Sequence, residues 1–209
     1  MDFESLRKYL SNVVVKAQHC QRNWNLEKQI PQEDLDLMIH AVTQCPSKQN
    51  MDFYEVYVIQ DREIQQKIYE VSDVSSGKRK NPQLLANVLF VFVEKDPIEF
   101  RHPEAKKLFL EKSDKFKDWK SFFKDQNQSV GVAAGFLNAI ATALGYSTGC
   151  NTCMDKNEVA KILVLPDGKL PILAMGVGFK DEERNRRLEH VTNEPVETFK
   201  KVEIPVHYI

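Results

Sequence analysis

The chain has 209 residues, 42% hydrophobic and 28% charged, and its 29 basic residues nearly balance its 30 acidic residues. This composition excludes collagen-like, low-complexity and disordered proteins, and the lack of a basic excess argues against a nucleic-acid partner. We expect one globular domain over residues 1–209, because a chain of this mass can bury a sizeable core without disulfide or metal support.

The beginning of the chain gives no sign of secretion. Its first ten residues, MDFESLRKYL, carry scattered charges and lack the apolar core of a secretory signal. The chain contains no run of 18 apolar residues, so no membrane span is predicted. We therefore expect a cytoplasmic protein with no membrane partner, in which the four cysteines stay reduced.

Three helices and two strands are predicted in the first half of the chain, and the third helix is a short one with Ile64, Ile68 and Val71 on its apolar side. The first helix has Asp2 as its N-cap, and the second begins at Pro31 with an apolar stripe facing the core. Residues 53–59 are aromatic and β-branched, which predicts a strand. Six consecutive apolar residues at 88–93 predict a strand that is covered on both faces.

The second half is predicted to contain mainly helices before its last strand. Residues 97–128 mix charged and aromatic residues, and we predict one or two helices there that cover the active site. Residues 130–144 are apolar on nearly every side, which predicts a helix buried all round and capped by Gly145. Asp155 and Glu158 have the spacing of a capping box at the start of the next helix.

The final predicted strand covers residues 170–179. Gly176 and Gly178 interrupt it and would let another backbone or a ligand come close. The tail ending in VEIPVHYI has the composition of an added strand. Because helices and strands alternate irregularly, the pattern favours an α+β fold.

The cysteines leave two interpretations open. Cys150 and Cys153 form a lone C-x-x-C, which could be a redox dithiol, or half of a zinc site completed by Cys20 and Cys45. A structural zinc site normally needs two such pairs, so small buried residues are the simpler interpretation and no metal site is predicted. The chain also lacks a P-loop and a GxGxxG motif.

Four segments, taken in order, resemble the FMN-dependent nitroreductase family. CPSKQN at residues 45–50 resembles the family's APSxxN element, and AxxLGYSTG at 141–149 resembles the turn after its long central helix. LPDGKLPILAMGVGF at 165–179 is similar to the family's proline- and glycine-containing strand, and an arginine-rich segment follows it. The resemblance covers roughly residues 13–187.

This resemblance implies a three-layer α/β/α sandwich with a mainly antiparallel sheet of four or five strands. It implies a homodimer, built on the helix at residues 131–144, that exchanges its C-terminal strands and holds FMN at the interface. NAD(P)H would donate hydride, and a nitroaromatic, quinone or similar electrophile would then be reduced by a ping-pong mechanism. No side chain is assigned a catalytic role, because the flavin supplies the chemistry.

The resemblance also assigns cofactor contacts in five segments. They are the loop after the first helix, a loop reaching from the partner subunit, the segment before the second strand, the loop after the central helix, and a C-terminal phosphate clamp. These contacts are Gln18, His19, Cys20 and Arg22; Pro46, Ser47, Lys48 and Asn50; Asn81 and Gln83; Cys150, Asn151, Thr152 and Cys153; and Arg184, Arg186 and Arg187. Arg22, or Lys48 of the partner, would stabilise negative charge on the flavin.

Two of these positions depart from the family pattern, since Gln18 replaces an arginine and Cys20 replaces a serine. Losing one charge-assisted contact to phosphate costs about 1.5–3 kcal/mol. A binding protein with weak or lost flavin binding, and a cysteine-based thiol or zinc protein, are therefore the alternatives to a flavoenzyme. All four cysteines fall at or beside positions that face the flavin. This gives the hypothesis that the thiols line one pocket, against the alternative that they are small apolar residues.

Overall fold

The computed structural model describes residues 2–47, 50, 53–72, 80–95, 119–181 and 203–209, with the backbone only for 119–124. In chain order these residues form α1 (Phe3–Ala17), α2 (Gln32–Gln44), β1 (Tyr54–Ile59), α3 (Arg62–Glu70), a 3-10 helix (Pro82–Leu85), β2 (Val88–Glu94), α4 (Trp119–Ala143), β3 (Ser147–Asn151), α5 (Lys156–Ile162) and β4 (Pro171–Gly178). None of these helices is both long enough and apolar enough to cross a lipid bilayer.

Side-chain caps fix where several helices begin. The Asp2 carboxylate accepts a hydrogen bond from Ser5 N at 2.7 Å, which confirms the predicted N-cap of α1. Asp155 likewise caps α5. The predicted capping box is only half formed, because Asp155 N donates to Val71 O and the Glu158 carboxylate pairs with a lysine instead.

The strands pair in the order β1-β2-β4-β3, and every neighbouring pair is antiparallel. The inner strand β2 is buried along its whole apolar run, which confirms a strand covered on both faces. Each fully buried aliphatic or aromatic side chain in this strand contributes about 1.5–3 kcal/mol to folding.

Helices cover both faces of this sheet and make it the middle of three layers. Phe90 and Phe92 of β2 point into one core, which α2 and α4 complete. Leu89 and Val91 point into the other core, beneath α3 and α5. Alternate residues of one strand therefore supply two cores, as the pleat of a strand requires. The expected three-layer sandwich is confirmed.

Helix α4 differs from the sequence prediction in two ways. It begins at Trp119, so residues 119–128 continue the central helix and are not a separate segment, while 97–118 lie outside the described residues. It is also not buried all round, because Gly131, Val132, Gly135 and Phe136 form an exposed strip. Nearly all sides of this helix are apolar, so hydrophobic periodicity could not show which side lacks a partner among the described residues.

The two ends of the sheet region also differ from expectation. Residues 149–151 were predicted as a loop, but they complete β3, which pairs with β4 from Ser147 to Asn151. The tail at 203–209 has no regular secondary structure here and is fully exposed. Exchange of a C-terminal strand between two protomers stays a prediction.

Candidate functional site

Three segments of the chain meet at Gly149 in β3. A Cβ atom at this position would lie 2.8 Å from Gln21 O and 3.0 Å from Gln83 Cγ, closer than real Cβ contacts. Glycine is required here because both the loop after α1 and the 3-10 helix lie directly against the strand. Three of the five segments that the resemblance assigned to the cofactor are therefore brought together in the fold.

The loop after α1 is fixed to β3 and α4 by hydrogen bonds. The backbone of Cys20 forms an isolated parallel β-bridge with Thr148, and Gln21 N donates to Thr148 O at 2.7 Å. From α4, Asn138 donates to Ala17 O at 2.9 Å and accepts from the Thr148 hydroxyl at 2.6 Å. These bonds set the position at which the loop leaves α1.

Arg22 has a fixed backbone and a largely uncommitted side chain. The Gln21 amide oxygen accepts from Arg22 N at 2.8 Å and from Asn23 N at 3.0 Å. Within the described part of the chain, the Arg22 guanidinium makes only a 3.5 Å contact with Cys20 O. A guanidinium held in this way can pair with an anionic ligand such as a phosphate.

Trp24 joins the same loop to the 3-10 helix. Its side chain is buried, and Nε1 donates to Pro82 O at 2.8 Å. The backbone at this point is held against the end of β4. Trp24 forms an isolated antiparallel β-bridge with Lys180, and Asn25 N donates to Phe179 O. The sequence analysis did not identify Trp24 as a site-forming residue.

The 3-10 helix presents two buried amide side chains. Asn81 Oδ1 accepts from Gln83 N at 3.1 Å, and Asn81 Nδ2 donates to Gln83 Oε1 at 2.9 Å. This pairing commits the Gln83 amide oxygen and leaves its nitrogen as the remaining donor. At the other end of the helix, the Arg62 guanidinium donates to Ala86 O at 2.6 Å, and desolvation there lowers its pKa.

Asn151 carries an unsatisfied donor beside these groups. Its Oδ1 accepts from Cys153 N at 2.7 Å, which fixes the amide orientation, but the buried Nδ2 has no hydrogen-bond partner. An orphaned buried donor costs about 1–3 kcal/mol. Because Asn151 lies two residues after Gly149, it points to the same side of β3 as the Gln83 contact. A bound acceptor group or an ordered water would satisfy it.

Asn87 ties the loop to the sheet with three hydrogen bonds. Its Nδ2 donates to Asn25 O and Lys28 O, both at 2.8 Å, and its Oδ1 accepts from Phe179 N at 3.0 Å. Removal of this amide leaves three backbone groups unpaired. We expect Asn87→Ala to lower the free energy of unfolding by about 2–4 kcal/mol, measured by urea denaturation. The exposed Asn157→Ala is the matched control, and an equal effect of both changes would contradict this role.

The four thiols fall into two groups within one chain. Cys45 lies at the end of α2, with Sγ 3.1 Å from Tyr54 OH, beside the edge strand β1. Cys20 and Cys150 lie at the opposite edge, along β3, and Cys153 follows β3 by two residues. Three strand spacings, about 14 Å, separate these edges. The four thiols therefore do not share a pocket within one subunit, and a pocket that they line across a dimer interface stays a prediction.

The thiol of Cys150 is a weaker acid than an ordinary cysteine thiol. Partial desolvation of the thiol, with a smaller effect of the nearby Cys20 thiolate, raises its pKa to about 11. In a Cys153→Ser background, we expect the alkylation rate of Cys150 by iodoacetamide to rise about tenfold per pH unit until near pH 11. Peptide mass spectrometry measures this rate. Adding Cys20→Ser should shift the profile to lower pH, and an unchanged profile would show that the two thiols do not interact.

The predicted contacts separate in the same way as the thiols. Pro46, Ser47 and Asn50 lie near β1, where Asn50 N donates to Ser47 O and Asn50 adopts a positive φ of 55°. The contacts that lie along or beside β3 are Gln18, His19, Cys20, Arg22, Asn81, Gln83, Cys150, Asn151, Thr152 and Cys153. Lys48, Arg184, Arg186 and Arg187 lie outside the described residues.

Comparison with known proteins decides the family. The sequence model of the Nitroreductase family matches residues 15–179, most of the chain. The chain belongs to this family. A comparison with curated protein sequences gives no match.

Solved structures show the same fold at low sequence identity. The chain is similar to YdfN of Bacillus subtilis, a protein assigned as a nitroreductase, with a TM-score of 0.71, 14% identity, and coverage of 97% of this chain and 100% of that chain. For a Staphylococcus epidermidis protein assigned as an NAD(P)H:FMN oxidoreductase, the TM-score is 0.66 and the identity 21%, with coverage of 91% of this chain and 95% of that chain. For an FMN complex of an Exiguobacterium sibiricum protein assigned as a nitroreductase, the TM-score is 0.66 and the identity 15%, with coverage of 92% of this chain and 91% of that chain.

The part of the chain that the structure describes contains no candidate metal centre. Within residues 2–47, 50, 53–72, 80–95, 119–181 and 203–209, no three His, Cys, Asp or Glu side chains converge in a way that could hold an ion. Cys150 and Cys153 are free thiols there, as are Cys20 and Cys45.

Proposed function

We propose that this nitroreductase is an FMN-dependent oxidoreductase that takes hydride from NAD(P)H and reduces nitroaromatic, quinone or similar electrophiles by a ping-pong mechanism. The observation that carries the proposal is the orphaned Asn151 Nδ2, which lies in the wall where the loop after α1, the 3-10 helix and β3 converge. The match to the nitroreductase family and the FMN complex of the Exiguobacterium protein support it.

The residues along β3 have the chemistry that FMN requires. The isoalloxazine ring presents carbonyl oxygens and ring nitrogens, which need hydrogen-bond donors such as Asn151 Nδ2 and the Gln83 amide nitrogen. The phosphate is a dianion, and the Arg22 guanidinium is a suitable partner for it or for negative charge on the ring. FMN, when bound, supplies the capacity to accept and donate hydride.

In this mechanism the side chains of the protein bind the cofactor and orient it. The rigid attachments of the loop through Thr148 and of the 3-10 helix through Trp24 and Arg62 hold the donors in place before a ligand arrives. A preorganised site loses little conformational freedom on binding, which favours affinity. No side chain is required as a general acid or base, in agreement with a cofactor that performs the chemistry.

We further propose that the site is completed in a homodimer. Pro46, Ser47 and Asn50 lie at the opposite sheet edge from Gly149, so they can reach such a site only in a second subunit. The exposed strip of α4 is the surface for this association. A Cβ at Gly131 or Gly135 would meet nothing within 4 Å, so a second helix has room to approach there.

The C-terminal tail is the proposed fifth strand. Ile204, Val206 and Tyr208 alternate along it and are at least 70% exposed. The edge strand β1 has a groove on each face, of about 480 Å³ and 380 Å³, lined in part by its own side chains. The tail of one protomer would pair with β1 of its partner and fill these grooves with alternate side chains.

The absorption spectrum of the purified protein tests the flavin proposal. We expect a yellow protein whose visible band bleaches when NADPH or NADH is added without oxygen, and recovers when a quinone or nitroarene follows. A colourless protein that cannot be reloaded with FMN would contradict the proposal. That result would favour the binding-protein alternative, to which the replacements Gln18 and Cys20 point.

Arg22 provides a second test of the same site. We expect Arg22→Ala to raise the Kd for FMN about 10- to 100-fold, because a charge-assisted hydrogen bond contributes about 1.5–3 kcal/mol. Titration of the protein with FMN, followed by flavin fluorescence, measures this change. Lys67→Ala removes an exposed charge from α3 and is the matched control. An unchanged Kd for Arg22→Ala would remove this residue from the site.

A further inference from the structure

Cys20, in the loop after α1, and Cys150, in β3, lie close enough for Cys20 to influence the Cys150 thiol. The bridge between Cys20 and Thr148 aligns the loop with the strand, and Gln21 N reinforces it by donating to Thr148 O. Cys150 follows Thr148 by two residues, so its side chain leaves the strand on the same face. Cys20 and Cys150 are both exposed free cysteines, whereas Thr148 between them is buried and bonded to Asn138.

The spacing of the two cysteines determines what they can do. A diagonal pair on neighbouring strands has Cα atoms about 7–8 Å apart, whereas a disulfide needs about 4.4–6.8 Å. The bond therefore closes only if the loop moves by about 1–2 Å toward Cys150. The loop is held to β3 at this point by the Cys20–Thr148 bridge and by the Gln21 N–Thr148 O hydrogen bond, so closing the disulfide must lengthen or break these contacts.

We propose that Cys20 and Cys150 are a hydroperoxide-sensitive thiol pair, in which Cys20 is oxidised first and Cys150 resolves it to an intramolecular disulfide. The substrate class is hydrogen peroxide or a small organic hydroperoxide. This part of the inference holds whether or not the protein binds FMN. Its consequence for the cofactor rests on the proposed function.

The reaction has two balanced steps. The Cys20 thiolate attacks the O–O bond of the hydroperoxide, forms an S–O bond and expels an alkoxide or hydroxide, which takes a proton to become an alcohol or water. Cys150 then loses its proton, and its thiolate attacks the sulfur of the Cys20 sulfenic acid. Its sulfur bonds to the Cys20 sulfur, and the hydroxyl group leaves with the Cys150 proton as water. Two thiols are oxidised by two electrons while the hydroperoxide is reduced.

The order of attack follows from the electrostatics of the pair. Partial desolvation and the neighbouring Cys20 thiolate raise the pKa of Cys150 to about 11, so Cys150 stays protonated at neutral pH. The thiolate is the nucleophile in peroxide reduction, which leaves Cys20 as the residue that reacts first. Cys20 is also exposed to a dissolved oxidant.

Closure of the disulfide would disturb the site at Gly149. The loop next to Cys20 includes Gln21, whose carbonyl oxygen already lies 2.8 Å from the position of a Gly149 Cβ, and Arg22, the candidate phosphate partner. A loop drawn along β3 displaces both residues. We therefore expect the disulfide form to bind FMN at least tenfold more weakly. By thermodynamic reciprocity, bound FMN should oppose disulfide formation by the same factor.

Peptide mapping of the full chain tests the pair directly. The protein, with and without added FMN, is treated with hydrogen peroxide, alkylated, and digested with trypsin without reduction. Cys20 lies in the tryptic peptide 17–22, Cys45 in 29–48, and Cys150 and Cys153 share the peptide 125–156. We expect a covalent link between peptides 17–22 and 125–156, fragment ions that place it at Cys150, and release by dithiothreitol. Added FMN should slow formation of the link.

Single substitutions serve as controls for the mapping. Cys153→Ser and Cys45→Ser should retain the link, whereas Cys150→Ser should leave a sulfenic acid on Cys20 that dimedone traps. A bond between Cys150 and Cys153, a bond between two chains, or oxidation without any link would overturn the proposal. If the reduced protein binds no FMN but forms the link, the proposed function alone fails. If it binds FMN and forms no link, the thiol pair alone fails.

Discussion

Gly176→Ala should lower the free energy of unfolding by about 3 kcal/mol or more and abolish FMN binding. A Cβ at Gly176 would overlap the Gln83 carbonyl oxygen and lie 2.8 Å from Ala86 Cβ. Both neighbours belong to the turn that Trp24 and Arg62 hold, so neither can retreat without breaking a hydrogen bond. Urea denaturation and an FMN titration on the same preparation measure the two effects.

Gly168→Ala is the matched control for this change. Gly168 has a φ of 83°, and a Cβ atom there would meet nothing within 4 Å, so alanine strains the backbone without contacting a neighbour. The expected cost is about 1–2 kcal/mol, with FMN affinity unchanged. If Gly176→Ala behaves in the same way as Gly168→Ala, the close packing of the 3-10 helix against β4 is not required for the site.

Trp24→Ala should be the second most damaging change. It removes a large buried side chain, at a cost of about 3–5 kcal/mol, together with the hydrogen bond to Pro82 O. We expect lower thermal stability and weaker FMN binding, because the loop after α1 and the 3-10 helix lose their direct connection. Differential scanning fluorimetry and flavin fluorescence titration measure these quantities.

Trp24→Phe separates the hydrogen bond from the packing. Phenylalanine keeps most of the buried ring and leaves Pro82 O without its donor, which costs about 1–3 kcal/mol. FMN binding should weaken in Trp24→Phe even when the protein is fully folded at the assay temperature. Wild-type affinity in that variant would show that Trp24 acts through packing alone.

The inner part of the fold could be predicted from sequence, whereas the edge strand β3 could not. Residues 88–93 predict a buried strand because six apolar residues in succession are stable in a sheet only when both of its faces are covered. The sequence of β3, STGCN, consists of small and polar residues with weak strand propensity. This strand forms because β4 offers it a complete row of backbone partners, which is information from tertiary structure.

The candidate site was predictable as a set of segments but not as a geometry. The family resemblance identified the loop at residues 18–22 and the amides at Asn81 and Gln83. It assigned no contact to Trp24, Arg62 or Asn87, which position those segments through hydrogen bonds across the fold. Such contacts depend on three-dimensional proximity between distant positions, and no local pattern in one sequence reports them.

The strand order has a consequence for the synthesis of this protein. Of the four strands that the structure describes, β4 is the last to be made, yet it lies between β2 and β3 at the centre of the sheet. Until residues 171–178 leave the ribosome, β2 has a partner on one side only, and its apolar run keeps an open edge. Long-range pairings of this kind slow folding and expose aggregation-prone edges on the nascent chain. A chain interrupted before residue 171 would therefore be prone to aggregation as well as incomplete.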